Sequence, residues 1–69
     1  MILNDTEEAV VRRAVVAYQA AKDHSKGAFN GETPDEILDE LGVDPARWAQ
    51  LAAFVIEVAE NPDEHPELA

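Results

Sequence analysis

Residues 33–48, TPDEILDELGVDPARW, contain the signals that begin one helix, end it at a turn and begin another. Thr33 precedes Pro34 and is followed three residues later by Glu36, which is the pattern of a capping box with proline at the first helical position. Gly42 can adopt the left-handed conformation that ends a helix. The stretch therefore predicts a short helix two of about two turns, followed by a tight turn.

The same signals repeat after the turn, where Asp44 and Pro45 predict the start of helix three. This helix runs through ARWAQLAAFVIEVAE until Asn61 and Pro62 stop it. Its apolar residues cover more than half of the helical wheel: Trp48, Leu51, Ala52, Phe54, Val55, Ile56, Val58 and Ala59. Helix three must therefore be covered from two directions, by neighbouring helices or by a second copy of the chain.

Upstream, the sequence predicts a long helix one from about Thr6 to His24, capped by Asn4 or Asp5. One arc of this helix is apolar and predicts its core face: Val10, Val11, Ala14, Val15, Ala17, Tyr18 and Ala21. The glycine-containing segment that follows, SKGAFNGE, predicts a loop whose Phe29 returns to the core. We expect one helical domain over residues 1–61 and a loosely held acidic tail over residues 62–69.

Composition limits the class of protein. A chain of 69 residues with 46% hydrophobic residues and no cysteine is expected to fold as one small domain through packing or association alone. It has no basic leader before an apolar run and no apolar stretch near the roughly 20 residues that span a bilayer, so we expect a cytoplasmic protein without membrane contact. With Lys+Arg 5 against Asp+Glu 15, the expected partner is a basic protein surface.

The stretch from Thr33 to about Leu51 resembles the helix-turn-helix family, with Gly42 at the turn glycine. The alignment puts apolar residues where that family packs them: Leu41, Val43, Trp48 and Leu51. The fold class is therefore an all-α, small three-helix bundle with a helix-turn-helix-like pair, helices two and three, and an acidic C-terminal tail. The resemblance implies that the start of helix three would face the major groove of DNA: Asp44, Pro45, Ala46, Arg47, Ala49 and Gln50.

Charge argues against direct DNA binding by a monomer. Arg47 is the one basic residue on the implied DNA-facing surface, and phosphate contacts dominate affinity for DNA. A DNA-binding regulator stays an alternative, because Gln50 can contact a base and a basic partner could supply phosphate contacts.

Helix two carries a double row of carboxylates at i, i+1, i+4 and i+5. With two flanking acids, the predicted partner-binding residues are Glu32, Asp35, Glu36, Asp39, Glu40 and Asp44. Like charges at i, i+4 cost about 0.2–0.5 kcal/mol per pair, which solubility alone could justify. The functional interpretation is a docking face for a basic protein, including a nucleic-acid-binding one. Because i to i+4 spans about 6 Å, comparable to neighbouring phosphates, a nucleic-acid mimic is a second alternative.

No motif for catalysis or for a cofactor is evident. His24 and Ser25 are adjacent in a predicted loop, and adjacency in sequence does not align a hydroxyl with an imidazole. The tail offers weak, solvated metal ligands: Asp63, Glu64, His65 and Glu67. There is no phosphate loop and no dinucleotide glycine pattern, so we expect no enzyme activity, no cofactor and no metal site.

Self-association is a further expectation. The residues predicted to form a surface between copies are Phe54 and Ile56 of helix three with Ala9, Val16 and Ala20 of helix one. Leaving a large apolar side chain in water forgoes roughly 1–2 kcal/mol at about 25 cal/mol per Å². We therefore predict a homodimer that tightens as salt screens the net charge of -10, the alternative being a monomeric bundle with helix three at its centre.

Overall fold

A computed structural model of the chain describes residues 2–23 and 31–68. The elements are α1, Asp5–Asp23; α2, Pro34–Asp39; α3, Pro45–Glu60; and a 3-10 turn, Pro62–Glu64. Each α-helix packs against the other two, and the described residues include no strand. The predicted all-α three-helix bundle is confirmed. The expectations for Phe29 and for the His24–Ser25 pair lie outside the described residues.

The ends of α2 and α3 form as the local sequence predicts. The Thr33 hydroxyl accepts a hydrogen bond from the Glu36 amide at 3.2 Å, and Asp44 accepts one from the Arg47 amide at 3.3 Å. Gly42 has a φ of +63°, the left-handed value that favours glycine. The predicted capping box at α2 is only half formed, because the Glu36 carboxylate makes no hydrogen bond to the Thr33 amide among the described residues.

A complete capping box forms instead at α1. The Asn4 side chain accepts from the Glu7 amide at 2.7 Å, and the Glu7 carboxylate accepts from the Asn4 amide at 3.1 Å. The reciprocal bonds satisfy two backbone donors at the start of the helix. Of the two predicted capping residues, Asn4 and Asp5, the structure selects Asn4.

The core joins one face of each helix. Its buried residues are Val10, Val11, Ala14, Val15 and Ala17 of α1, Ile37 and Leu38 of α2, Leu51, Val55 and Val58 of α3, and Leu68. The predicted core face of α1 is confirmed, although Tyr18 and Ala21 are only half-buried. None of the described helices is long and apolar enough to cross a bilayer.

The tail packs against α3, which differs from the loosely held segment expected from its acidic composition. Leu68 is buried in the core, and the 3-10 turn directs the chain back towards it. The His65 ring lies edge-on to Phe54 with centroids 5.4 Å apart, and its Nε2 is 3.3 Å from the Glu57 carboxylate. The acidic composition of the tail gave no indication that Leu68 and His65 would anchor it.

Candidate interaction surface

The four basic residues in the described part of the chain each bind a carboxylate of the same chain. The pairs are Arg12 with Glu8, Arg13 with Glu40 and Glu32, Lys22 with Glu60, and Arg47 with Glu7. Three of these basic side chains, Arg12, Arg13 and Lys22, are about half exposed, so their pairs lie at the surface of the bundle. Among the described residues, no Lys or Arg is left without a carboxylate partner.

The pair of Arg47 and Glu7 joins the start of α3 to the start of α1. Arg47 Nε and Nη2 each donate to a Glu7 oxygen at 2.9 Å, and Nη2 also donates to the Ile2 carbonyl at 3.0 Å. The Glu7 side chain is nearly buried, being 9% exposed. Hydrogen bonds from Arg47 and from the Asn4 amide lower the pKa of Glu7 from its ordinary 4.5 to about 2. This pair is a structural tie between helices.

The same pair bears on the helix-turn-helix alternative. Arg47 is the one basic side chain on the surface that would face DNA, and its guanidinium is directed at Glu7 instead. Its remaining Nη1 lies 3.4 Å from the Gln50 side-chain oxygen, so Gln50 is engaged as well. A phosphate contact from Arg47 would have to break these bonds.

Two of the predicted partner-binding residues hold α2 to α1. Arg13 donates to both oxygens of Glu40, at 3.0 and 3.1 Å, and lies 3.6 Å from a Glu32 oxygen. The hydrogen bond from Arg13 lowers the pKa of Glu40. Glu32 and Glu40 therefore bind within the chain, at a half-exposed site.

A third cluster joins the C-terminal ends of α1 and α3. Lys22 Nζ donates to both Glu60 oxygens at 3.0 Å, and the Tyr18 hydroxyl donates to one of them at 2.9 Å. The hydrogen bonds of Lys22 and Tyr18 lower the pKa of Glu60, and the same bond to Glu60 raises the pKa of Tyr18. Sequence reasoning did not find this cluster, because its members are separated by about forty positions and depend on helix packing.

The remaining carboxylates of α2 project outward. Asp35, Glu36 and Asp39 are exposed and make no ion pair with any other described residue; we call these three the α2 acidic face. Asp44, also exposed, uses its carboxylate to cap α3. Of the six predicted partner-binding residues, the structure thus brings three together on one free surface.

Two hollows lie beside this face, between α2 and α3. One, of about 210 Å³, has Asp35, Leu38, Ala52 and Ile56 among its lining residues. The other, of about 300 Å³, is lined by Asp39, Val43, Pro45 and Trp48. The Trp48 Nε1 is buried, and no hydrogen-bond partner for it exists among the described residues.

The residues predicted for self-association do not share one surface. Val16 is 66% exposed and lies with Ala20 in a groove of about 490 Å³ beside Ile37. Ile56 is 48% exposed in the α2–α3 hollow, whereas Phe54 is half-buried against His65. Ala9 is exposed near the start of α1. Self-association stays a prediction.

In the described part of the chain, no three His, Asp or Glu side chains are grouped so as to hold a metal ion. Within the predicted tail ligands, His65 lies against Glu57 of α3 instead. The arrangement that the structure does offer is an acidic face bordered by apolar hollows. Carboxylates beside apolar surface are chemically complementary to side chains that join a cationic end to an apolar stem.

These features define a small, acidic three-helix protein with an outward-facing row of carboxylates. Over 59 residues the chain is 44% identical to a segment of the γ-glutamyl phosphate reductase of Kineococcus radiotolerans. The match covers 86% of this chain but only 13% of that enzyme. No protein-family model and no solved structure matches the chain.

Proposed function

We propose that the chain is a non-catalytic interaction module, a small regulator or inhibitor that docks its α2 acidic face on a basic surface of another protein. The observation that supports the proposal is that the described basic residues are all paired with carboxylates, whereas three acidic residues of α2 are paired with none of them. Every described Lys and Arg pairs with a carboxylate of the same chain, while Asp35, Glu36 and Asp39 stay exposed on one short helix without an ion pair to any described residue. With a net charge of -10, the field of the molecule attracts a cationic surface.

Electrostatic docking of this kind has a recognisable dependence on salt. Exposed charges guide the encounter and raise the association rate, and salt screens them over a Debye length of about 10 Å at 0.1 M. Binding through the α2 acidic face is therefore expected to weaken steeply as salt is raised. Specificity must come from the shape that borders the charges.

The experiment that tests the proposal is capture of partners from a lysate of the source organism at about 50 and about 500 mM salt, on either side of physiological screening. The immobilised baits are the wild type, D35K/D39K and D63K/E64K. Both variants change the charge equally, but Asp63 and Glu64 lie in the tail turn. Capture by the wild type and the tail variant at low salt, and loss in D35K/D39K, supports the proposal. A partner indifferent to D35K/D39K contradicts it.

A nucleic-acid mimic is a narrower form of the same proposal. Asp35 and Asp39 are one helical turn apart, about 6 Å, which is comparable to neighbouring phosphates. A mimic occupies the nucleic-acid site of its partner, so DNA or RNA added in competition should displace it. An ordinary adaptor stays bound.

The helix-turn-helix regulator is the remaining alternative, and it predicts a shifted duplex in a gel at low salt. The shift should be lost on changing Arg47 and Gln50, since Arg47 is the basic residue of the implied DNA-facing surface and Gln50 can contact a base. The engagement of Arg47 by Glu7 weighs against this outcome.

The similarity to a γ-glutamyl phosphate reductase favours one specific partner, that enzyme in the source organism. In the relative, a segment similar to most of this chain is part of the enzyme's own polypeptide. We expect this chain to bind the enzyme of the source organism when the two are mixed as purified proteins. Sedimentation of the purified mixture should show a complex, and independent sedimentation at concentrations well above micromolar would contradict this assignment.

A further inference from the structure

The two hollows beside α2 lie along one boundary, between α2 and α3, which we call the seam. Pro45, Trp48, Ala52 and Ile56 recur every three or four residues along α3, so they form a single stripe on that helix. Pro45 and Trp48 line one hollow, and Ala52 and Ile56 line the other. The hollows therefore follow each other along the boundary between α2 and α3.

Each hollow combines apolar walls with one carboxylate of the α2 acidic face. Asp35 lines the hollow that contains Ile56, and Asp39 lines the hollow that contains Trp48. The two aspartates are four residues apart, which places them one helical turn, about 6 Å, from each other. Ile56 is 48% exposed there, so an occupant would remove apolar surface from water.

We infer that this seam binds a basic amphipathic helix of the partner protein. A helix fits because its own side chains repeat once per turn, so neighbouring turns can place apolar groups in both hollows. Lys and Arg side chains cover apolar surface with their stems while the charged ends reach Asp35 and Asp39. The inference rests on the proposed function and adds to it the form of the partner's contacting element.

Trp48 is the one tryptophan of the chain, so its fluorescence reports on the hollow beside Asp39. The probes are two synthetic peptides of identical Leu, Lys and Ala composition. One places leucine and lysine at helical spacing to form an amphipathic helix, and the other has a permuted order. The amphipathic peptide is expected to change the Trp48 emission and to bind about tenfold more tightly, because only it can bury leucines in both hollows.

Substitutions distinguish the apolar contacts made in the seam from the attraction of lysines to Asp35 and Asp39. Ile56→Ser is expected to weaken the amphipathic peptide severalfold and leave the permuted one unchanged, because Ile56 supplies apolar contact only. Val16→Ser is the matched control, since Val16 is also β-branched, apolar and exposed, at 66% against 48% for Ile56, but lies on α1 outside the seam. The double variant D35N/D39N is expected to weaken both peptides.

Three results would contradict the inference that the seam binds an amphipathic helix. The first is equal binding of both peptides with equal dependence on Asp35 and Asp39, which leaves the acidic docking face in place. The second is an Ile56→Ser variant that binds like Val16→Ser. The third is no binding of the amphipathic peptide, in which case a partner captured by the wild type and lost by D35K/D39K would still support the proposed function.

Discussion

The carboxylate at the start of α1 and the carboxylates on the outer side of α2 have different environments. Glu7 is nearly buried, accepts two hydrogen bonds from Arg47 and has its pKa lowered to about 2. Asp35 and Asp39 are exposed on α2 and make no ion pair with any described residue. One carboxylate serves the fold, and the other two are available to a partner.

The difference follows from the position of each carboxylate relative to the scarce basic residues. The pairs of Arg47 with Glu7, Arg13 with Glu40 and Lys22 with Glu60 each cross between helices. No residue of the α2 acidic face takes part in these three pairs. Its repulsion along α2 is a small cost to a bundle whose stability comes from the core.

The largest effect on stability is expected from a substitution in the core. Leu51 is fully buried at the meeting of the three helices, so Leu51→Ala removes apolar contacts and leaves a cavity. We expect a loss of about 2–5 kcal/mol in the free energy of unfolding, measured by urea denaturation. Ile56→Ala, at a half-exposed site, is the control and should lose much less. Equal losses would mean that the seam, too, is part of the core.

The pair of Glu7 and Arg47 comes next in size. Glu7→Gln keeps a side chain that can complete the capping box but removes the charge, so it isolates the ion pair. We expect a lower Tm than the wild type at neutral pH, with a smaller change than Leu51→Ala. Asp63→Asn is the control, because Asp63 is exposed and has no ion pair among the described residues. An unchanged Tm in Glu7→Gln would contradict the claim that the Glu7 carboxylate, unlike Asp35 and Asp39, stabilises the fold.

Acid should erase the advantage of the wild type over Glu7→Gln. Since the folded pKa of Glu7, about 2, is below its ordinary 4.5, the carboxylate contributes stability that is fully present above the ordinary value. That contribution is lost as the pH falls from about 4.5 towards 2. Urea midpoints of both proteins across this window should converge. A difference that stays constant down to the low end would contradict the assigned role of the charge.

The smallest effect on stability is expected at the α2 acidic face. Asp35→Asn with Asp39→Asn relieves an i, i+4 repulsion, so the free energy of unfolding should rise by about 0.2–0.5 kcal/mol or stay the same. Thermal melting at low salt measures it. A clear loss of stability would show that these aspartates have a structural role that their exposure conceals.

The sequence predicted what depends on neighbours in the chain. Thr33, Gly42 and Asp44 act within one turn of their own positions, and the structure confirms all three. The pairing of Arg13 with Glu40, separated by 27 positions, depends on how α1 and α2 pack. No local pattern carries that information.

The candidate site shows the same division. Helical spacing alone placed Asp35, Glu36 and Asp39 on one face. It could not separate them from Glu32 and Glu40, because that separation depends on the reach of Arg13. The anchoring of the tail by Leu68 was missed for a related reason, since composition describes the average segment and one apolar residue decides the contact.

The most direct test measures affinity and stability on the same proteins. D35K/D39K and D63K/E64K are compared with the wild type by calorimetric titration of the captured partner and by thermal melting. We predict that D35K/D39K loses binding while its Tm stays close to that of the wild type, and that D63K/E64K keeps both its binding and its Tm. Retained binding in D35K/D39K, or equal loss of binding in the two variants, would contradict the claim that the α2 acidic face is the docking surface.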